Sequence, residues 1–367
     1  MHFPRMSIEA ESPEELGYDK LKFNLTESSL RDRAIADLGV DLSSLVLCYT
    51  DHRGHPGLRE LVARRAGEGL LADDVILTAG ASAALFAIAV TLLDRGDHMI
   101  VLRPNYATNI DTPRILGCEV DCLDLSFEHE FQIDLEALAA KIRPNTKLIS
   151  LTAPHNPTGV SFPEATLRGA IALAERVGAY VLLDETYRDM SFVPKTPIGA
   201  SLGERVVSVA SLSKSYGVPG IRLGWAMSRD KALMQRLLSA KEQIGICGSV
   251  VDEAIGHAVY SDADRWLQRA GEGLNEAFAS VKAWMQREPL LEWVEPTGGC
   301  VCFPRIREQG GVDPVRFYRA LNEDHGAYVG PGHWFEQPDL HFRLGYGWPL
   351  PEELAGGLAA ISAALRA

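Results

Sequence analysis

A lysine placed where its amine can attack a carbonyl is the first chemical feature of the chain. Lys214 lies in Ser211-Leu-Ser-Lys-Ser-Tyr-Gly-Val-Pro-Gly-Ile-Arg-Leu-Gly-Trp225, after the β-branched run of Val206, Val207 and Val209. Gly217, Pro219 and Gly220 make this a strand end opening into a tight loop, so the lysine is presented rather than carried on a helix face. Arg222 stands close by in sequence. A neighbouring cation and partial desolvation both lower the pKa of an amine, which is what a Schiff-base lysine requires. Taken alone, the loop reads equally well as a surface lysine among serines and glycines.

Further polar groups gather at the ends of other apolar runs. Tyr106 follows the run 98–102, Asn156 follows 147–152, and Asp184 and Tyr187 follow 180–184. Val75-Ile-Leu-Thr-Ala-Gly-Ala-Ser82 reads as a strand turning into a long helix, so the amides of Gly80, Ala81 and Ser82 crown a helix N-terminus, where anions bind. No Gly-Lys-Ser/Thr follows, so this is not a Walker loop. As single residues, Asp184 reads equally as a helix cap, Pro157-Thr-Gly159 as a turn and Tyr106 as core.

These groups need elements that bring the run ends together. Apolar runs at 75–78, 98–102, 118–123, 147–152, 180–184 and 206–209, with a helix expected at 164–177, predict a mostly parallel sheet covered on both faces. Ligands bind at the C-terminal edge of such sheets. From 231 to about 267, and again over 273–284, the periodicity is helical. Strands at 293–306 and 339–344 and helices at 314–323 and 351–365 then predict a smaller α+β unit. Residues 22–29 read as an extended segment running into a capped turn and short helix.

The chain has 367 residues, 36 Lys+Arg against 49 Asp+Glu, and a formal net charge of −13. No basic block could follow a phosphate backbone, which excludes nucleic acid as a partner. No apolar run reaches membrane-spanning length and the N-terminus lacks a signal pattern, so a cytoplasmic enzyme is expected. The six cysteines, scattered over this length, read as buried free thiols rather than a disulfide scaffold or a metal site.

Together the Ser-x-Ser-Lys with Arg-x-Gly, His155-Asn-Pro-Thr-Gly159 and Asp184-Glu-Thr-Tyr187 resemble the fold-type I pyridoxal-phosphate enzymes of the class I/II aminotransferase superfamily, over nearly the whole chain. The resemblance implies an α/β fold: a large domain with a mostly parallel seven-stranded sheet flanked by helices, plus a smaller α+β domain. It divides the chain at 1–45, an N-terminal segment beside the substrate entrance, 46–240, the cofactor domain, and 241–367, a linking helix and the small domain. It implies pyridoxal 5'-phosphate bound through Lys214, with Asp184 at the pyridine nitrogen, Asn156 and Tyr187 at the phenolic oxygen and Tyr106 stacked on the ring. The phosphate would meet Gly80, Ala81, Ser82, Ser211 and Arg222, and Tyr49 would cross from the partner of a homodimer. Arg343 would hold the substrate carboxylate.

The expected activity is amino-group transfer between an α-amino acid and a 2-oxo acid. The alternative is elimination, replacement or cyclisation, since the lysine loop and tail also resemble capreomycidine synthase-type enzymes. A ligand-sensing regulator of this fold would need a DNA-binding module for which the chain has no spare length. Glu27 is a candidate for pairing with a cationic substrate side chain, against the plainer reading of a helix cap in Thr26-Glu-Ser-Ser29. His333 and Trp334 follow a glycine where relatives usually carry a smaller residue, which leaves the side-chain pocket open at this stage.

Overall fold

The computed structural model describes residues 2–367. Seven strands form one sheet: β1 (Val75–Thr78), β2 (His98–Arg103), β3 (Glu119–Asp124), β4 (Thr146–Thr152), β5 (Tyr180–Asp184), β6 (Val206–Ser211) and β7 (Gly224–Met227). Their order is β1-β7-β6-β5-β4-β2-β3, and only β7 runs antiparallel to its neighbours β1 and β6. The apolar runs are continuous because both faces are covered. Ile76, Val101, Leu182 and Val209 pack under the helices Gly80–Leu92 and Lys231–Gly245, while Ile100, Leu151 and Val181 pack against Leu167, Ile171 and Ala174 of helix Glu164–Glu175.

The strand β7 was not legible as a strand, because its four residues follow the Pro219–Ile221 turn with no flanking periodicity. Arg222 turns the chain there with φ 44°. The helical stretch expected over 231–267 is interrupted instead at Ile246, with φ 53°, and Ser249 caps a new helix by accepting from the Asp252 amide. Conversely, helix Ala263–Met285 runs straight through Gly271 and Gly273. Each glycine costs a helix about 1 kcal/mol, which the burial of Trp266, Leu274, Val281 and Trp284 outweighs.

A separate core lies in the C-terminal third, where Phe342–Gly345 pairs antiparallel with Val301–Cys302 and Gly330–Pro331. The N-terminal segment joins it: Phe23–Asn24 pairs parallel with Ala327–Tyr328, and Leu25 and Leu30 are buried in the same core. No helix begins at Thr26–Ser29, which corrects the capped turn expected there. Backbone contacts hold these residues extended instead, with Leu25 N donating to Tyr328 O at 2.9 Å, Gly345 N to Leu25 O at 2.8 Å and Leu30 N to Lys214 O at 3.0 Å. Among the described residues no helix is long and apolar enough to cross a membrane.

The tightest point of this join is Gly345, where a Cβ would lie 1.9 Å from the Glu27 carbonyl oxygen. Gly345→Ala should therefore displace residues 24–30 and lower stability by about 1–3 kcal/mol, the usual cost of overpacking. Denaturant unfolding checks this, and an unchanged midpoint would mean that the segment yields freely.

Candidate active site

The C-terminal ends of the parallel strands open into a cavity of about 890 Å³, lined on the sheet side by Tyr106, Asn156, Asp184, Tyr187 and Lys214, and on the other by Arg343. Ala81, Ser82, Ser211, Arg222 and Glu27 also face it. The topology explains the convergence. The sheet-side residues stand at or just past a strand end, after β2, β4, β5 and β6, or on the helix that follows β1, and parallel strands put those ends on one edge; Arg343 and Glu27 reach the cavity from the C-terminal strand and the N-terminal segment.

Lys214 is partly exposed into the cavity and its Nζ donates to Ser28 Oγ at 3.1 Å. Burial and then the nearby Arg343 charge push its pKa below the usual lysine range, while Glu27 opposes that shift. Asp184, 7% exposed, accepts at Oδ1 from the Thr186 amide at 3.0 Å and hydroxyl at 2.6 Å. Burial raises its pKa, against these hydrogen bonds and the Lys214 charge. A cationic N–H facing that carboxyl would restore its ionised form.

Arg343, on the strand Phe342–Gly345, is 4% exposed. Its Nη1 donates to Asn156 Oδ1 at 3.1 Å and its Nη2 to Thr26 O at 2.7 Å, while Nε has no partner. Among the described residues no carboxylate reaches it within ion-pair distance, and burial lowers its pKa. An uncompensated buried guanidinium of this kind is a receptor for a carboxylate.

Beside the lysine loop the backbone is shaped for an anion. Gly80 has φ 77°, and a Cβ there would stand 2.8 Å from Arg222 Nη2, so glycine lets the guanidinium lie against the start of helix Gly80–Leu92. The first amides of that helix, the Ser211 hydroxyl and Arg222 thus share one corner of the cavity with open donors. A phosphate there, an aromatic nitrogen at Asp184 and an amine partner at Lys214 fit the donor and acceptor types of pyridoxal phosphate.

The structure brings together every expected site residue except Gly80, which supports Arg222 from behind, and Tyr49. Tyr49 is 81% exposed and does not line this cavity. Glu27 caps no helix: its Oε1 accepts from Tyr18 Oη at 3.1 Å and Asn24 Nδ2 at 3.3 Å, and burial raises its pKa. The bulky pair after Gly332 is also accounted for. Trp334 Nε1 donates to Glu11 Oε2 at 2.7 Å, and His333 sits 2.8 Å from the same oxygen and 2.9 Å from Asp339.

Several lining residues had no signal in the sequence. The short helices Ser7–Ala10 and Pro13–Leu16 place Glu9 and Glu14 over the cavity, and Ser28 and Tyr18 face it as well. Tyr106 Oη donates to Glu9 Oε1 at 2.9 Å, and burial together with the Glu9 charge pushes its pKa up to about 12. Thr186 alone could have been found, as the residue two after an aspartate that closes a turn.

The profile of the family described as aminotransferase class I and II matches residues 26–356. The chain is 32% identical over 312 residues to the arginine–pyruvate transaminase of Pseudomonas aeruginosa, covering 81% of this chain and 77% of that one. It is 29% identical over 343 residues to the capreomycidine synthase of Streptomyces vinaceus, covering 92% and 86%. A PLP-dependent aminotransferase from Streptococcus suis superposes with a TM-score of 0.92 at 29% identity, covering 100% of this chain and 98% of that one. With the lysine, the carboxyl and the anion corner in one cavity, the chain belongs to the aminotransferase class I and II family and is a pyridoxal-phosphate-dependent transferase.

Proposed function

We propose that the protein transfers an amino group between an α-amino acid, preferably one with a cationic side chain, and a 2-oxo acid. The observation that carries this reading is Arg343, a buried guanidinium facing the same cavity as Lys214 with an unpartnered Nε. When bound, pyridoxal phosphate supplies a carbonyl for amine exchange and a conjugated ring that takes up the electron pair left at Cα. Lys214 holds the cofactor and, once its amine is free, moves the Cα proton at Nζ; its lowered pKa favours the neutral amine needed to accept it. Asp184 would keep the pyridine nitrogen protonated, Asn156 and Tyr187 would meet the phenolic oxygen, Tyr106 would supply an aromatic surface for the ring, and Ala81, Ser82, Ser211 and Arg222 would hold the phosphate.

The chain divides, on this reading, near residues 45 and 240, which the separate core of the C-terminal third supports. The functional unit is a homodimer in which Tyr49 serves the partner's phosphate. Val46, Leu47 and Tyr49 are all exposed along one stretch, as an uncovered interface would leave them. The side-chain preference rests on Glu27 and Glu14, carboxylates on the cavity wall that make no ion pair among the described residues. The arginine named for the Pseudomonas relative agrees with it. Cyclisation is the second reading, favoured by the length over which the chain matches capreomycidine synthase. Mass analysis of the product separates the two.

Borohydride reduction of the holoenzyme followed by peptide mapping should place the pyridoxyl group on Lys214, and Lys214→Ala should lose both the label and turnover. Label on another lysine would refute the assignment. Arg343→Lys should raise KM for the amino acid about 10- to 100-fold, because an ammonium cannot make the two-point planar contact. Glu27→Gln should erase a preference for arginine or ornithine over norleucine and leave the visible spectrum of the holoenzyme alone. Equal kcat/KM for acidic, aromatic and cationic amino acids in the unaltered enzyme would overturn the preference and leave the cofactor site standing. Tyr49→Phe should weaken cofactor retention by about 1.5–3 kcal/mol, one hydrogen bond to a charged group, and a competent monomer in sedimentation would exclude the shared site.

A further inference from the structure

We propose that Ser28 is a positioning residue for Lys214: its hydroxyl receives the lysine amine and holds it on the side of the cavity where the substrate enters. The proposal rests on the amino-transfer reading for its consequence in turnover, though not for the contact itself. Ser28 Oγ is the only hydrogen-bond partner of Lys214 Nζ among the described residues, at 3.1 Å. The serine is 6% exposed and lines the cavity.

The backbone fixes this hydroxyl more firmly than a loop residue would be. Two residues after Ser28, the Leu30 amide donates to the carbonyl of Lys214 itself at 3.0 Å, so the two side chains start from strands of chain already joined. Three residues before it, Leu25 is bound on both sides, to Tyr328 O and from Gly345 N. Between these anchors the Glu27 carbonyl touches Gly345 so closely that no side chain fits there. Ser28 therefore cannot drift away from the lysine without breaking main-chain hydrogen bonds.

Its chemistry suits an amine that must be held and released. A hydroxyl both accepts and donates, so Ser28 takes the Lys214 hydrogen and keeps its own free to donate into the cavity, which Tyr187 also lines. A carboxylate in its place would trap the amine as an ammonium. The charged and titratable groups around Nζ are Arg343 from the C-terminal strand, Glu27 beside Ser28, Glu14 from the N-terminal helix, Cys300, Asp184 at the end of β5, and Tyr187. None of the acidic ones pairs with the lysine directly, so the neutral serine sets where the amine rests.

The test uses Ser28→Ala and Ser28→Thr in the full chain. In the holoenzyme, Ser28→Ala should lower kcat roughly 10-fold with KM for the amino acid changed less than about twofold, and Ser28→Thr should restore kcat. In the cofactor-free chain, the pH midpoint for labelling Lys214 by an amine-reactive sulfonate, read by peptide mapping, should fall in Ser28→Ala and return in Ser28→Thr. The sign follows because an ammonium donates the stronger hydrogen bond, so removing the acceptor disfavours the charged form. An unchanged kcat and midpoint in Ser28→Ala, or an equal loss in both variants, would overturn the proposal. Should Ser28→Ala fail to fold, Ser28→Gly takes its place. A protein that transfers no amino group from any amino acid would defeat the amino-transfer reading alone, since the labelling midpoint still reports the contact.

Discussion

Two basic side chains, the buried Arg343 and the partly exposed Lys214, face one cavity without a matched carboxylate, and the rest of the molecule is arranged around that imbalance. Removing one partner of a buried ion pair costs about 3–5 kcal/mol because the other charge is left uncompensated. Arg343 stands in that state by construction, with Asn156 and the Thr26 carbonyl as neutral partners and its Nε left without one. Lys214 avoids the cost differently, by a pKa that burial and Arg343 push toward the neutral form. A site so loaded favours an anion at Arg343 and a neutral, nucleophilic amine at Lys214, which are the two requirements of the proposed chemistry.

Both cations are held by the same short stretch of the N-terminal segment, Thr26 to Leu30. Thr26 gives its carbonyl to Arg343, Ser28 its hydroxyl to Lys214, and Leu30 its amide to the Lys214 backbone. Because the segment is paired into the C-terminal core at Leu25 and stitched to the lysine loop at Leu30, it spans the cavity between the sheet edge and the C-terminal strands. A substrate held at Arg343, as proposed, would lie beside a strip whose geometry is set by both sides at once. Displacing that strip would alter carboxylate binding and amine position together.

The sheet and the ends of its strands were legible because the physics there is repetitive. Continuous apolar runs mark strands buried on both faces, and polar residues directly after them, such as Asn156, Asp184 and Lys214, mark one edge of a parallel sheet. The antiparallel β7 was not legible, since four residues between a turn and a polar stretch carry no period. Nor was the extended state of Thr26–Ser29: its serine and threonine side chains look like caps, and contacts with residues remote in sequence, at Lys214, Tyr328 and Gly345, hold it open. The helices Ser7–Ala10 and Pro13–Leu16 are too short to show amphipathic spacing, so the cavity's cover stayed invisible.

That cover gives the acidic N-terminal segment a division of labour. Glu9 meets the Tyr106 hydroxyl and Glu11 meets Trp334 and His333, so these two fasten the segment down, while Glu15 pairs with Arg5 at 2.9 Å within the segment itself. The large residues after Gly332 are then explained as the anchor for Glu11, and Trp334 lines the cavity as well. Glu14 and Glu27 fasten nothing cationic: both crowd Tyr18 at the cavity wall, and Glu27 keeps its raised pKa through burial and the nearness of Glu14. Two carboxylates brought together in a partly dry site repel each other, and a cation between them relieves the repulsion and the burial cost at once. On the proposed reading a cationic side chain on the bound amino acid would supply it while Arg343 takes the carboxylate, so the same electrostatic imbalance would orient the substrate from both of its ends.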